Sequence, residues 1–440
     1  MLQTLINAWK IKDLRMKILY TIFIILVFRI GAQITVPYVN QDVVAAVLNG
    51  SDNVFFGYVN MLTGGAFSNA TIFAMSITPY INASIIIQLL CIAIPALERM
   101  VKEGGPEGQK KQMALTRYTT VALGLLQGLV YYITLSGNAM FITNAAGVKE
   151  YVIQNPNLWK AVVIILSFTA GTAMVMWLGE KITEKGIGNG ISVILFAGIL
   201  AQVPSVAVTA YQNVKNGSLP IWLLALLLAF MIVAIAFVVF FNNAERRIPV
   251  NYAKRVVGRK VYGGQSSYIP MKVAMTGVMP IIFASSITSL PMIIFAFLPE
   301  FEAGSFWAVV KTWTSTQKPL YPIIYFLLII AFSFFYAYTQ FNPLEVANNI
   351  KNNGGTVPGI RQGRPTADYI SKILKRLTLI GAFFLGVVAI VPILMSYGSS
   401  TLGGLALGGT TLLIVVGVAL DTVKTLEAQM MMRHYKGFLE

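Results

Sequence analysis

The sequence predicts an all-α polytopic membrane protein with ten spans, and three observations carry that prediction. Of 440 residues, 56% are hydrophobic and 11% charged, whereas soluble domains are about a quarter charged. Apolar runs of roughly 18 to 26 residues recur along the chain, the length a bilayer core requires. Lysine and arginine fall overwhelmingly in alternate gaps between those runs.

The spans are expected near residues 18–36, 71–95, 118–136, 158–178, 187–204, 219–241, 273–298, 320–341, 374–395 and 402–423. Gly188, Asn189, Gly190 and Ser192 dilute the start of the fifth. Of 33 Lys and Arg residues, 27 lie in the N-terminal segment, the loops after spans 2, 4, 6 and 8 (with the start of span 9), and the tail. Five lie on the other side: Lys149, Lys160, Lys215, Lys311 and Lys318. The positive-inside rule therefore places both termini in the cytoplasm. The first apolar run is too long for a signal core and lacks a small-x-small cleavage site, so it is expected to be the first span. A single cysteine, Cys91, excludes an intramolecular disulfide framework, and a single histidine, His434, excludes a His–Cys metal cluster.

Residues 1–17 form a basic amphipathic stretch with Trp9, suited to interfacial anchoring. Arg29, near the outer end of the first span, is expected to snorkel. The stretch from Gly57 to Pro95 is the one around which the rest is organised. Its early part, Asn60, Met61, Leu62, Thr63, Gly64, Gly65, Ala66, Phe67, Ser68, Asn69 and Ala70, is glycine-rich and polar, and runs without a break into an apolar helix. Such backbone is unfavourable against lipid, so it is expected to fold into protein or an aqueous cavity and to close a pore. An ordinary outer loop with glycine turns is the alternative. Met61, Leu62, Ala66 and Phe67 argue against it, because an exposed loop has little reason to carry them.

The outer loop 137–157 reads as polar and featureless. The G-x-G-x-G run from Gly186 to Gly190 follows no strand and has the wrong spacing for a dinucleotide fingerprint. It is expected to start the fifth helix and to let helices approach closely. The longest basic loop follows span 6 and contains R-R-I-P-V-N-Y-A-K-R from Arg246. The alternation of Ile248, Val250 and Tyr252, then Val261 and Tyr262, predicts a ribbon or short hairpin projecting from the membrane. Topology alone accounts for some of its charge. Interleaved tyrosine, valine and glycine point further, to a docking surface for an acidic partner such as ribosomal RNA. A second basic loop, 342–372, contains P-G-I-R-Q-G-R-P, a turn presenting Arg361 and Arg364. Span 7 carries Pro280 and Pro291 with Ser285, Ser286, Thr288 and Ser289, whose hydroxyls can refill the hydrogen bonds proline removes. A mobile seam and a plain bundle-facing helix both fit that pattern.

Catalytic signatures are missing. There is no G-x-x-x-x-G-K-[ST] phosphate loop, no H-E-x-x-H and no G-x-S-x-G. The span middles are aliphatic, and Asp421 sits only in the last turn of span 10, whereas an ion-coupled transporter usually keeps a carboxylate near the midplane. Ile81 and Ile85 share a helix face, as do Ile191 and Leu195. A secondary transporter of small solutes and a membrane scaffold without a pore are the competing classes.

Several stretches, in order and at matching spacing, resemble the SecY family, the central subunit of the bacterial-type Sec protein-translocation channel. They are N-M-L-T-G-G-A-F-S-N-A-T-I-F-A from Asn60, I-T-P-Y-I-N-A-S-I-I-I-Q-L-L from Ile77, G-I-G-N-G-I-S from Gly186, R-R-I-P-V-N-Y-A-K-R from Arg246 and V-P-G-I-R from Val357. The resemblance covers nearly the full chain. It implies two inverted five-helix halves around a central hourglass pore: residues 1–204, with a plug at 60–70, and 205–424, with cytosolic loops 242–272 and 342–372. A cytosolic tail, 425–440, follows. It implies a pore ring of Ile81, Ile85, Ile191, Leu195, Ile282 and Ile414, and a lateral gate including Gln88, Cys91, Gln127, Ser285, Ser286 and Leu290. Docking falls to Arg246, Arg247, Lys254, Arg255 and Arg361. The implied partners are SecE-like and SecG-like small subunits, a SecA-like motor ATPase, the ribosome, signal-sequence-bearing polypeptides and membrane lipid. No cofactor, metal or catalytic activity is implied, and the implied site is the bacterial cytoplasmic membrane. One departure is I-T-V-P-Y-V-N at Ile34, where many relatives carry a glycine after the proline; it bears on the outer loop's conformation.

Overall fold

The computed structural model describes residues 2–50, 60, 63–136, 141–143, 149–217, 220–252, 255–257, 260–262, 266–274, 277–297, 305, 307, 310, 318–398 and 409–436. The protein is an all-α polytopic membrane protein. Among the described residues, six helices are each long and apolar enough to cross a membrane, and a bent pair makes a seventh if counted as one span.

The N-terminal helices are α1 (Leu2–Lys10), α2 (Lys12–Gly31), α3 (Gln41–Gly50), α4 (Thr78–Ala93), α5 (Pro95–Glu103), α6 (Gly105–Ser136), α7 (Leu158–Lys185) and α8 (Gly190–Lys215). Then come α9 (Ile221–Asn243), α10 (Met279–Phe297), α11 (Leu320–Gln340), α12 (Pro343–Asn352), α13 (Arg364–Gly398) and α14 (Gly409–Lys436). Each of the ten expected spans falls on one of these helices. The fifth begins where its dilution begins. Asn189 caps α8, its side-chain oxygen accepting from the Ile191 and Ser192 amides at 3.1 and 3.4 Å, so the polar residues are a helix start.

Two expectations need correction. Span 2 was expected from residue 71, but residues 71–77 form turns and α4 starts at Thr78. Its 16 residues are about 24 Å long, short of a bilayer core of roughly 30 Å. The helix then breaks at Ile94, which is extended because Pro95 follows it, and α5 leaves at 105°. The outer loop 137–157, read as featureless, carries a hairpin of β1 (Phe141–Thr143) and β2 (Lys149–Tyr151). The departure at Tyr38 has a visible consequence. Its φ is +68°, a left-handed value that glycine would adopt without strain.

The helices form two groups. In one, α6 packs on both α4 and α7, and α7 also packs on α2 and α8; in the other, α10, α11, α13, α14 and α9 pack in that order. The groups meet where α8 touches α14 and where α10 touches α4 and α6. One hydrophobic cluster runs through both. The amphipathic N-terminus lies on α14: Ala8, Leu14 and Leu426 share a buried cluster, while Trp9 stays exposed.

The two basic loops fold as one body. In β3 (Glu245–Tyr252), Ile248 and Val250 point inward and are 1% exposed. β3 pairs antiparallel with β6 (Ser266–Lys272) from its own loop and with β7 (Gly355–Thr356) from the second. Ile248, Val250, Met271, Ile350, Val357, Ile370 and Leu374 form their shared core. A separate hairpin, β4 (Arg255–Val257) with β5 (Lys260–Tyr262), supplies the expected ribbon.

Close backbone approach fixes α7. A Cβ on Gly171 would collide with the carbonyl of Ile72, whereas one on Gly124 of α6 would meet Thr169 at 3.5 Å, an ordinary contact. Gly171→Ala is therefore expected to destabilise the protein by about 1–3 kcal/mol, and Gly124→Ala to be tolerated, as read from thermal unfolding in detergent.

Candidate functional site

The segment 60–70 is folded inside the protein and does not hang in an outer loop. Thr63, Ala66, Phe67, Ser68 and Ala70 are buried; Met61 and Leu62 lie outside the described residues. Its turn is held internally. The Asn60 carbonyl accepts from the Gly65 amide at 3.0 Å and from Thr63 Oγ1 at 3.1 Å, and Asn60 Oδ1 accepts from the Ser68 amide at 3.0 Å. Gly64 and Gly65 make the turn at φ +67° and +87°. The downstream end is tied to the chain leaving span 1, where the Val36 amide donates to Ala70 O and the Ile72 amide to Ile34 O.

Three spans reach the segment's backbone. Tyr131 of α6 donates from its hydroxyl to Phe67 O at 2.7 Å and packs its ring 4.8 Å from those of Phe67 and Phe168. Arg29 of α2 donates from Nη1 to Gly64 O at 3.2 Å. Gln202 of α8 donates from Nε2 to Asn60 O at 3.5 Å. Arg29, expected to snorkel, instead engages this segment. Sequence reasoning missed Tyr131 and Gln202 as site residues. The intramembrane charge of Arg29 was the signal available, and it pointed only to some partner.

The expected ring residues come together. Ile81, Ile85, Leu195, Ile282 and Ile414 are buried members of one hydrophobic cluster, 1–8% exposed, and Ile191 packs against it. They arrive from α4, α8, α10 and α14. Ala66 of the segment joins the same cluster, while Phe67 and Ala70 belong to a second cluster with Val36, Tyr131, Leu135 and Phe168.

The expected gate residues sit on α4, α6 and α10, three helices that meet where α10 packs on α4 and α6. Gln88 and Cys91 lie on α4, and Gln127 is half-buried on α6. Ser285 and Ser286 lie on α10; the side chain of Leu290 is outside the description. Across the seam, Tyr336 of α11 donates to Gln88 Oε1 at 3.2 Å, a partner the sequence did not announce. Gln88 donates in turn to Ser84 Oγ at 3.2 Å. Two of the four hydroxyls of α10, Ser285 and Thr288, do not refill the bond that Pro291 removes. Ser285 bonds Ile282 O, and Thr288 bonds Ala284 O and Ser285 O. None of these is the Ile287 carbonyl that lacks its donor because of Pro291. Pro280 falls in the first turn, where its missing N–H has no helical acceptor to lose.

On the body formed by the two basic loops, Arg246, Arg247 and Arg361 are exposed. Successive strand residues face opposite ways, so Arg246 shares the face of Ile248 and Arg247 lies on the other. There Arg247 stacks 4.7 Å over Tyr268 and bonds Glu245 at 2.7 Å, which raises its guanidinium above the ordinary value. Arg255 sits in β4; Lys254 lies outside the described residues.

A bundle of apolar helices, with an irregular segment folded into it and packed against a buried aliphatic cluster, is built as a polytopic channel. The comparisons sharpen this. A model of the SecY family matches residues 71–423. Protein translocase subunit SecY of Streptomyces galbus is 44% identical over 444 residues, covering 100% of both chains; that of Mycobacterium bovis is 42% identical over 451 residues, again covering 100% of both. A solved structure described as that of a protein conducting channel aligns with a TM-score of 0.60 at 17% identity, covering 94% of this chain and 92% of the other. Sec61 in the canine ribosome-channel complex aligns at 0.57 and 16%, with the same coverage. The chain belongs to the SecY family.

The Tyr336–Gln88 bond should be measurable. A double-mutant cycle with Tyr336→Phe and Gln88→Leu, followed by unfolding in detergent, is expected to give a coupling of about 0.5–1.5 kcal/mol; a coupling of zero would remove the bond from the seam.

Proposed function

We propose that this chain is the protein-conducting channel of a bacterial cytoplasmic membrane, passing unfolded secretory polypeptides across it and releasing apolar spans sideways into lipid. The observation that supports the reading most is the convergence of Ile81, Ile85, Leu195, Ile282 and Ile414 in one buried cluster with segment 60–70 folded against it. In this reading those residues and Ile191 are the waist of an hourglass. An aliphatic ring closes around a moving chain without binding it, and dewets against ions when empty. Segment 60–70 is the plug that fills the outer funnel at rest.

The seam of α10 against α4 and α6 is the lateral gate, with Gln88, Cys91, Gln127, Ser285, Ser286 and Leu290 along it. Polar groups there, such as the Tyr336–Gln88 pair, make the closed seam specific while keeping it separable. The two packed helix groups are then the two halves, with the boundary expected at 204 falling inside α8, which runs on to Lys215, and the tail expected from 425 beginning inside α14. The charge bias supports cytoplasmic termini. The chain performs no bond chemistry, so the driving force comes from partners: a SecA-like motor ATPase or the translating ribosome, received on the cytosolic body at Arg246, Arg247, Lys254, Arg255 and Arg361. SecE-like and SecG-like subunits complete the membrane assembly. The ribosome is supported by the fold neighbours Sec61 in the canine ribosome-channel complex and yeast Ssh1 bound to the 80S ribosome.

Reconstitution decides between channel and solute transporter. Proteoliposomes with the small subunits and a motor ATPase are expected to render a signal-sequence-bearing polypeptide protease-resistant, dependent on ATP and on this chain. Ion-coupled uptake of a small solute without polypeptide transport would contradict the reading. For docking, Arg246→Glu with Arg361→Glu is expected to weaken ribosome binding about tenfold or more and to flatten its salt dependence, with insertion unchanged; ribosome sedimentation at several salt concentrations measures both.

A further inference from the structure

We propose that Arg29 and Gln202 are a latch that holds the plug shut by gripping its backbone, with Tyr131 as the anchor at the plug's base. This rests on residues 60–70 being the plug. The three donors come from three different spans and meet three carbonyls within eight residues: Asn60, Gly64 and Phe67. All are backbone acceptors, so the grip depends on the turn's shape and not on its side chains.

The glycines explain how the donors get close enough. A Cβ at Gly64 would lie 2.7 Å from Arg29 Nη1 and 2.8 Å from the Gly198 carbonyl of α8, and a Cβ at Gly65 would lie 2.8 Å from Gln202 Nε2. Both residues also hold positive φ. The turn that presents the Gly64 carbonyl to Arg29 is therefore the same turn that leaves space for both donors, while Gln202 joins an Asn60 carbonyl that already accepts from the Gly65 amide and Thr63 Oγ1.

The two ends of the segment are held differently. Tyr131 is buried between Phe67 and Phe168, tilted against one ring and edge-on to the other, next to the tie between residues 34–36 and 70–72. That end stays packed. At the tip, Arg29 and Gln202 supply single hydrogen bonds, and Arg29 forms no ion pair with a carboxylate among the described residues. A cation on a neutral carbonyl is held more firmly than a neutral pair, yet its release strands no opposite charge in the protein, as breaking a buried ion pair would. The displaced donors would face the water of the outer funnel. The latch is strong enough to close an idle channel and is opened by a one-sided loss.

The test uses the full complex in proteoliposomes, with Cys91→Ser removing the native thiol and Ser68→Cys reporting on the plug. Ser68 is 8% exposed. Two readouts are taken: labelling by a membrane-impermeant maleimide from the outer side, and idle single-channel opening frequency. Arg29→Met is expected to raise both about tenfold, the scale of one lost charge-assisted hydrogen bond. Gln202→Leu should raise them less, and Arg29→Lys should fall between wild type and Arg29→Met. If Arg29→Met inserts poorly, Arg29→Lys and Gln202→Leu decide the matter, because both leave the backbone of the turn unchanged; Gly64→Ala does not, since its Cβ would also strike the Gly198 carbonyl. Unchanged labelling and conductance in these variants, while deletion of 60–70 opens the channel, would overturn the latch and leave the plug standing. A deletion that stays silent would overturn both.

Discussion

Non-helical backbone at membrane depth is the constraint on which this structure depends. Residues 63–77 are turns, and every peptide group in them needs a partner that lipid cannot supply. The protein supplies it three ways. The segment bonds itself around Asn60, it pairs briefly with residues 34–36, and it takes side-chain donors from α2, α6 and α8. The neighbouring geometry follows from this need. α4 is short because the chain ahead of it is used for the segment, and α7 carries Gly171 because the Ile72 carbonyl lies against it.

A channel for polypeptides faces a further conflict: it has to pass side chains of every chemistry and still exclude small ions. In the proposed reading, isoleucine and leucine from four helices meet both demands, because an aliphatic surface offers a passing chain no hydrogen bond and offers an ion no solvation, and segment 60–70 adds a second barrier. Ala66 connects the two by belonging to the ring's cluster, while Phe67 anchors the segment to a different one. The body formed by the two basic loops is separate in chemistry. It has its own small core, and its β3 strand buries Ile248 and Val250 while presenting Arg246 and Arg247 to solvent.

Much of this was legible in the chain. The membrane helices were readable from length and hydropathy because bilayer thickness imposes a single scale, and β3 from an alternation of period two. The cap at Asn189 was visible as a polar dilution. The ring was recognisable only through family resemblance, because isoleucine in a membrane is usually lipid-facing or packed. Local pattern could not give the partners of segment 60–70. Tyr131 and Gln202 lie 64 and 142 residues from the carbonyls they reach, and nothing near either one marks it as a donor. The bend at Pro95 was readable from the proline, but its 105° was hidden by treating residues 71–95 as one straight span. Proline and hydroxyls in α10 suggested repair of the helix, yet Ser285 and Thr288 bond carbonyls that Pro291 did not free, a matter of which turn each faces.

The central claim is that converging aliphatic side chains, and not the segment alone, close this channel. Single-channel recording in planar bilayers tests it on protein lacking residues 60–70, with and without Ile81, Ile282 and Ile414 replaced by asparagine. The account predicts brief, flickering openings when the isoleucines remain, because the ring still dewets. It predicts long, ion-conducting openings once the ring is polar. Indistinguishable traces from the two proteins would show that the isoleucine cluster is packing alone and that the seal lies elsewhere.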